Sequence, residues 1–120
     1  MLNEYRIHLH LYGIPNCDSC RSARKGITAR NVPHSFPDIL KEKLTLAQLQ
    51  EWAGSAHGPY LLNKRSTTWR QLSGEHKATA DSNPAALLLE HPTLMKRPVI
   101  TDGETILDIG FAPRNLEDYI

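Results

Sequence analysis

Cysteine is scarce in this 120-residue sequence: there are two, Cys17 and Cys20, both in a single Cys-x-x-Cys. So few, so placed, exclude a disulfide-stapled secreted scaffold. They also leave a structural zinc site short of ligands, because such a site takes four, commonly from two such pairs or from one pair with spaced histidines. No second pair exists and the six histidines follow no finger-like spacing, so no metal is expected. Excess charge is missing too. A net charge of +1 provides no overall drive toward nucleic acid or an anionic membrane. No apolar run approaches the length that spans a bilayer. The opening Met1-Leu2-Asn3-Glu4-Tyr5-Arg6 lacks the basic start, apolar run and cleavage site of a signal peptide, so a cytoplasmic location is expected. Repeats, low-complexity stretches and linkers are also absent. What remains, with 40% hydrophobic and 22% charged residues, is the composition and size of one globular domain.

The sequence that is present is organised around Gly13-Ile14-Pro15-Asn16-Cys17-Asp18-Ser19-Cys20. Before it, Ile7-His8-Leu9-His10-Leu11-Tyr12 alternates with the period of a strand. After it, residues 21–30 can place Ala23, Ile27 and Arg30 on one helical face. Gly13 and Pro15 set a turn, and Asn16 is suited to cap a helix beginning at Cys17. A thiol at a helix N-terminus meets exposed N–H groups and the positive end of the helix dipole, both of which favour the thiolate. Thiolate chemistry at Cys17 is therefore the leading functional expectation.

Further along, His34-Ser35-Phe36-Pro37-Asp38-Ile39 reads as a short strand that Pro37 confines to an edge or ends. The cysteines then lie at the C-terminal end of the first strand of a βαβ unit, where ligand chemistry usually sits in open α/β sheets. Thr45 to Gly54 reads as a capped helix, with Leu46, Leu49 and Trp52/Ala53 on one face. Tyr60 to Arg65 suggests another short helix. Asn83-Pro84 opens one running to about His91, with Ala85, Leu88 and Leu89 as its apolar face. Residues 97–101 and 105–109 form a hairpin around Asp102-Gly103, and Arg114 to Ile120 a terminal helix.

This β-α-β, helical insert, β-β-α layout, with a proline opening the third strand, resembles the thioredoxin fold. The implied architecture is an α/β three-layer fold with a mixed four-stranded sheet. One domain spans residues 1–120, with a helical insert at about 44–92. In such families the bond before that proline is usually cis and faces the active-site cysteine; Pro98 stands in that position. The match is closer to the glutathione-linked arsenate reductases and Spx/YffB-like proteins. It is carried by Leu11 to Asp18, by Leu61 to Leu72, by Met95-Lys96-Arg97-Pro98-Val99 and by Gly110-Phe111. Arsenate reductases of this family surround arsenate with one cysteine and three arginines. Arg97 matches one of them. Asn63, with Arg65 two residues on, stands where the second would lie, and Phe111 where the third would. The resemblance thus implies thiol redox chemistry with an arginine cage only partly present.

Cys17 is accordingly the expected nucleophile and Cys20, one helical turn on, its resolving or redox partner. The plain alternatives are a buried structural cysteine at the first position and a small packing residue at the second. Arg97, with Asn16 and more weakly Arg65, is the expected site for an oxyanion or a glutathione carboxylate, which guanidinium binds in bidentate fashion. Arg21, Arg24 and Lys25 are read as an ordinary exposed face, and Lys96 as facing solvent. His8 and His10 share a strand face and are expected to be partly buried and hydrogen-bonded; His34, His57, His76 and His91 form no evident constellation. Trp52, Trp69 and Phe111 are packing residues.

Two functions remain open. One is a thiol reductase with no bound cofactor, glutathione as co-substrate, and glutathione or a thioredoxin/glutaredoxin-type partner as reductant. The other, implied by the Spx resemblance, is a redox-sensing regulator that binds the RNA polymerase α subunit through a Cys17–Cys20 disulfide switch. Either is expected to be a monomer without direct nucleic-acid or membrane contact.

Overall fold

The computed structural model describes residues 7–120; the opening hexapeptide, on which the signal-peptide argument rests, lies outside the described residues. The chain divides into two compact units. One joins the segment ending at Glu42 to Arg97–Ile120, and the other is Lys43–Lys96.

The first unit holds a mixed four-stranded sheet among its described residues, in the order β2-β1-β3-β4, as the α/β thioredoxin-like layout requires. β1 (Leu9–Tyr12) runs parallel to β2 (His34–Ser35), pairing Leu9 with His34 and His10 with Ser35. On its other side it runs antiparallel to β3 (Val99–Thr101), with Leu11 opposite Ile100. β3 continues antiparallel to β4 (Ile106–Ile109). Alternation places Leu9 and Leu11 in the core, where they pack with Ala23, Ile27, Val32, Ile100 and Leu116. Ala23 and Ile27 come from α1 (Asp18–Ala29), which with Cys20 turns one face inward. Leu116 comes from α6 (Leu116–Tyr119), preceded by the 3-10 turn Pro113–Asn115.

Several boundaries differ from the sequence reading. β2 is two residues long, not six; Pro37 lacks an N–H, and after it only an isolated bridge pairs Gly13 with Asp38. The hairpin loop takes four residues. Asp102 Oδ1 accepts from the N–H groups of Glu104 and Thr105, and Gly103 adopts φ 105°, a conformation open to glycine. The terminal helix is shorter than expected and begins after its 3-10 turn.

In the second unit, α2 (Leu46–Ala53) is capped by Thr45, whose hydroxyl accepts from the Gln48 N–H at 3.1 Å, and it ends at Gly54. Tyr60 to Arg65 is not helical. A 3-10 turn at Gly58–Tyr60 gives way to a bridge between Leu62 and Met95, and the helix starts later, as α3 (Thr67–Gln71) capped by Ser66. α4 (Gly74–Ser82) has no counterpart in the sequence reading. Its residues bury only Ala80, so no apolar stripe announces it; the Ser73 hydroxyl, accepting from the His76 N–H at 3.1 Å, starts it. α5 (Pro84–Glu90) begins as expected, with Asn83 Oδ1 accepting from the Ala86 N–H and Pro84 in its first turn. Its buried face is Ala85, Leu87 and Leu88, whereas Leu89 is 45% exposed. Leu46 is likewise exposed while Leu49 and Trp52 are buried. α5 packs against both α2 and α4. Among the described residues no helix is long and apolar enough to cross a membrane.

Candidate functional site

β1 delivers the chain to Gly13, whose N–H donates to the Pro37 carbonyl and whose carbonyl accepts from the Ile39 N–H. The turn that follows ends at Cys17, and here the structure corrects the sequence. Cys17, not Asn16, is the N-cap of α1, extended at φ −145° and ψ 123°, and its carbonyl accepts the first helical bond from the Arg21 N–H at 2.9 Å. Asn16 is exposed, and its Oδ1 accepts from Arg21 Nη1 at 3.3 Å; Arg21 also pairs with Asp18.

The N-cap position aims the helix N-terminus at the thiol. Cys17 makes no full capping hydrogen bond, yet the Cys20 backbone N–H lies close enough to favour its thiolate. Partial burial opposes ionisation. It is outweighed by that N–H, by a hydrogen bond from the Arg97 side chain, by the Cys20 thiol and by the charge of Arg97, so the Cys17 thiol is held below its ordinary range. Cys20 behaves oppositely. Burial is the largest influence and the proximity of Cys17 adds to it; these outweigh the Ile14 backbone N–H and the Arg97 charge, pushing Cys20 up to about 11. Both thiols are free; Cys17 is half-buried and Cys20 fully buried. Cys20 therefore packs under the helix, with the Cys17 thiol near enough to influence it.

Arg97 precedes the cis bond to Pro98, as the resemblance implied. Pro98 is buried, and its carbonyl accepts from the Gly110 N–H at 2.8 Å, holding the start of β3 to the end of β4. Lys96 is exposed, as expected. Phe111 lies against Gly26 and packs on the core, so the position of a third arginine is filled by an apolar packing residue. Arg65 belongs to the Lys43–Lys96 unit, where its N–H donates to Asn63 Oδ1.

Gly13 is a site residue that the sequence reading took only for a turn former. A Cβ there would come within 2.5 Å of Cys20 Sγ and 3.2 Å of the Phe36 ring. Its hydrogen atom makes room for the buried thiol. Arg24, expected to be merely solvated, lies with its guanidinium carbon 4.5 Å from the centre of the Phe36 ring. His10 is half-buried and 3.3 Å from the Ser35 hydroxyl, as expected, whereas His8 is exposed.

The chain is 30% identical to the solved YffB protein, with a TM-score of 0.83, over 92% of this chain and 96% of that one. It is 32% identical to the solution structure of an arsenate reductase related protein from Brucella melitensis, with a TM-score of 0.73, over 98% of each chain. It is 28% identical over 119 residues to the global transcriptional regulator Spx of Listeria innocua, covering 91% of this chain and 90% of that protein. The model of the ArsC family matches residues 12–119. This protein, with its helix-terminal thiol under the influence of Arg97 and a cis bond following that arginine, belongs to the ArsC family.

Proposed function

We propose that this protein is a thiol-dependent oxidoreductase in which the Cys17 thiolate forms a covalent adduct with an oxidised or electrophilic substrate. The observation that carries the reading is the opposite tuning of two adjacent thiols: Cys17 is accessible and lowered, Cys20 buried and raised to about 11. Attack belongs to the thiol that is both more readily ionised and reachable. With a disulfide substrate, the Cys17 sulfur bonds to one substrate sulfur as the S–S bond breaks, and the other leaves as a thiolate. Glutathione or Cys20 then attacks the mixed disulfide. If Cys20 attacks, the bound half leaves as a thiolate and a Cys17–Cys20 disulfide remains. Two electrons from two glutathione molecules, or from a thioredoxin/glutaredoxin-type partner, return it to the dithiol.

The tuning sets the order of events. Once Cys17 is in an adduct it carries no negative charge, and one influence that holds the Cys20 proton disappears. Adduct formation thereby makes Cys20 easier to ionise, although burial still holds its proton. Arg97 and Asn16 are the residues we assign to an oxyanion or a glutathione carboxylate. The cytoplasm, where glutathione keeps thiols reduced, suits this cycle.

The test is a coupled assay. Protein with glutathione, glutathione reductase and NADPH should consume NADPH when a small disulfide or arsenate is added, and Cys17→Ser should abolish consumption. No consumption with either substrate class would remove the enzyme reading. A second reading, favoured by the Spx relative, is a redox-sensing transcriptional regulator in which the Cys17–Cys20 disulfide alters a surface that binds RNA polymerase. It requires that oxidation change the affinity for the C-terminal domain of the polymerase α subunit. Equal or absent affinity in both redox states rejects it.

A further inference from the structure

Two histidines and a carboxylate that no sequence motif connects converge in the helical unit. His76 lies in the first turn of α4, and Glu90 and His91 lie at the end of α5. His76 Nε2 is 3.7 Å from Glu90 Oε1, and His91 Nε2 is 3.8 Å from the same oxygen. One donor atom from each side chain lies within 4.8 Å of the other two. The imidazole rings meet edge to face, with centres 5.6 Å apart and planes at 78°. Two further observations point to a ligand. His91 Nε2 is buried and has no hydrogen-bond partner among the described residues; the Glu90 oxygen beside it lies beyond hydrogen-bond reach. A buried ring nitrogen left without a partner costs free energy unless something outside the polypeptide satisfies it. At the other histidine, Ser73 Oγ is 3.1 Å from His76 Nδ1. An Nδ1–H donated to that hydroxyl leaves the Nε2 lone pair directed at Glu90, which is how metal-bound imidazoles are commonly held.

We propose that His76, Glu90 and His91 form a site for a divalent first-row transition ion of the zinc type. Two imidazole nitrogens with one carboxylate oxygen are a zinc ligand set, whereas calcium and magnesium take oxygen ligands. Tetrahedral bonds of about 2.0–2.1 Å place ligand atoms roughly 3.3–3.4 Å apart, so each nitrogen-to-oxygen separation has only to shorten by a few tenths of an ångström. The side chains of Glu90 and His76 are 60% and 44% exposed and have room to make that adjustment. Three protein ligands leave a fourth position for water or an external donor. The bound ion ties the start of α4 to the end of α5. The convergence corrects the expectation for His76 and His91 that they form no constellation, because that expectation could weigh only their spacing along the chain.

The experiment uses the Cys17→Ser/Cys20→Ser double variant, stripped with a chelator, so that the thiols do not compete for metal. Zinc is titrated by calorimetry, and cobalt by its visible absorption. One ion per chain is expected, with a tetrahedral cobalt spectrum free of sulfur charge transfer and a rise in Tm on zinc addition. His76→Ala, His91→Ala and Glu90→Gln should each weaken binding by more than about tenfold, and Ser73→Ala by about 10–100-fold. Glu90→Gln preserves side-chain shape, so its loss of affinity does not reflect misfolding. No zinc binding by the double variant, or unchanged binding after His76→Ala and Glu90→Gln, overturns the proposal. Metal held only while Cys17 and Cys20 are present does so as well, since it assigns the ion to the thiols.

Discussion

The Arg97 side chain lies near enough to Cys17 to favour its thiolate, relating the chain just before β3 to the residue that caps α1. The thiol is lowered against the opposing effect of burial, so removing the cation should raise it. In Arg97→Gln, the pH at which Cys17 becomes reactive toward a thiol probe should move up, and labelling at neutral pH should slow several-fold. The linked stability change has a definite sign. A depressed thiol contributes stability above the unfolded value near 9.0 and loses it as pH falls through the folded value. Arg97→Gln should narrow that window from below. An unchanged labelling profile would mean that the helix terminus alone tunes Cys17.

Cys20 predicts the reverse dependence at alkaline pH. Its thiol moves from 9.0 to about 11 in the folded protein, so between those values the folded state keeps a proton that the unfolded chain releases. Stability of the reduced protein should therefore fall as pH rises from 9 to 11. Tyr119 is also raised above its ordinary 10.0, by burial first and then by the Asp108 charge, and adds to the fall above pH 10. Denaturant unfolding should show the loss, with Cys20→Ala removing the part that begins at 9 and Tyr119→Phe the part that begins at 10.

Gly13 should tolerate no side chain while Cys20 keeps its sulfur. Gly13→Ala forces a methyl group against a short, buried side chain and should cost about 1–3 kcal/mol. In the Gly13→Ala/Cys20→Ala double variant the cost should be smaller than the sum of the single changes, because the clashing atom is gone. Strict additivity in unfolding measurements would place the strain at the Phe36 ring.

Along α5, Leu87 is 2% exposed and Leu89 45%. Leu87→Ala should cost about 2–5 kcal/mol, and Leu89→Ala should stay within about 0.5 kcal/mol. Equal losses in denaturant titrations would contradict the assigned face.

Sequence by itself determined the features whose causes are local. Alternation marked β1, and the Thr45 cap, the Gly54 stop and the Asn83-Pro84 start marked helix ends, because capping satisfies backbone groups within a few residues of the side chain. The Cys-x-x-Cys turn was legible for the same reason, although the cap fell on Cys17 and not Asn16. Where local cues were weak, the reading failed: α4 has almost no apolar stripe, and one residue of rotation along α5 exchanges Leu89 for Leu87. The resemblance grouped Arg97 with Cys17, whereas only the tertiary structure decided that Gly13 makes room for Cys20 and that His76 converges with Glu90 and His91. Charge, desolvation and van der Waals exclusion act over a few ångströms of space whatever the separation along the chain. The paired cysteines could thus be found in the sequence, but the opposite tuning of their two thiols belongs to the fold.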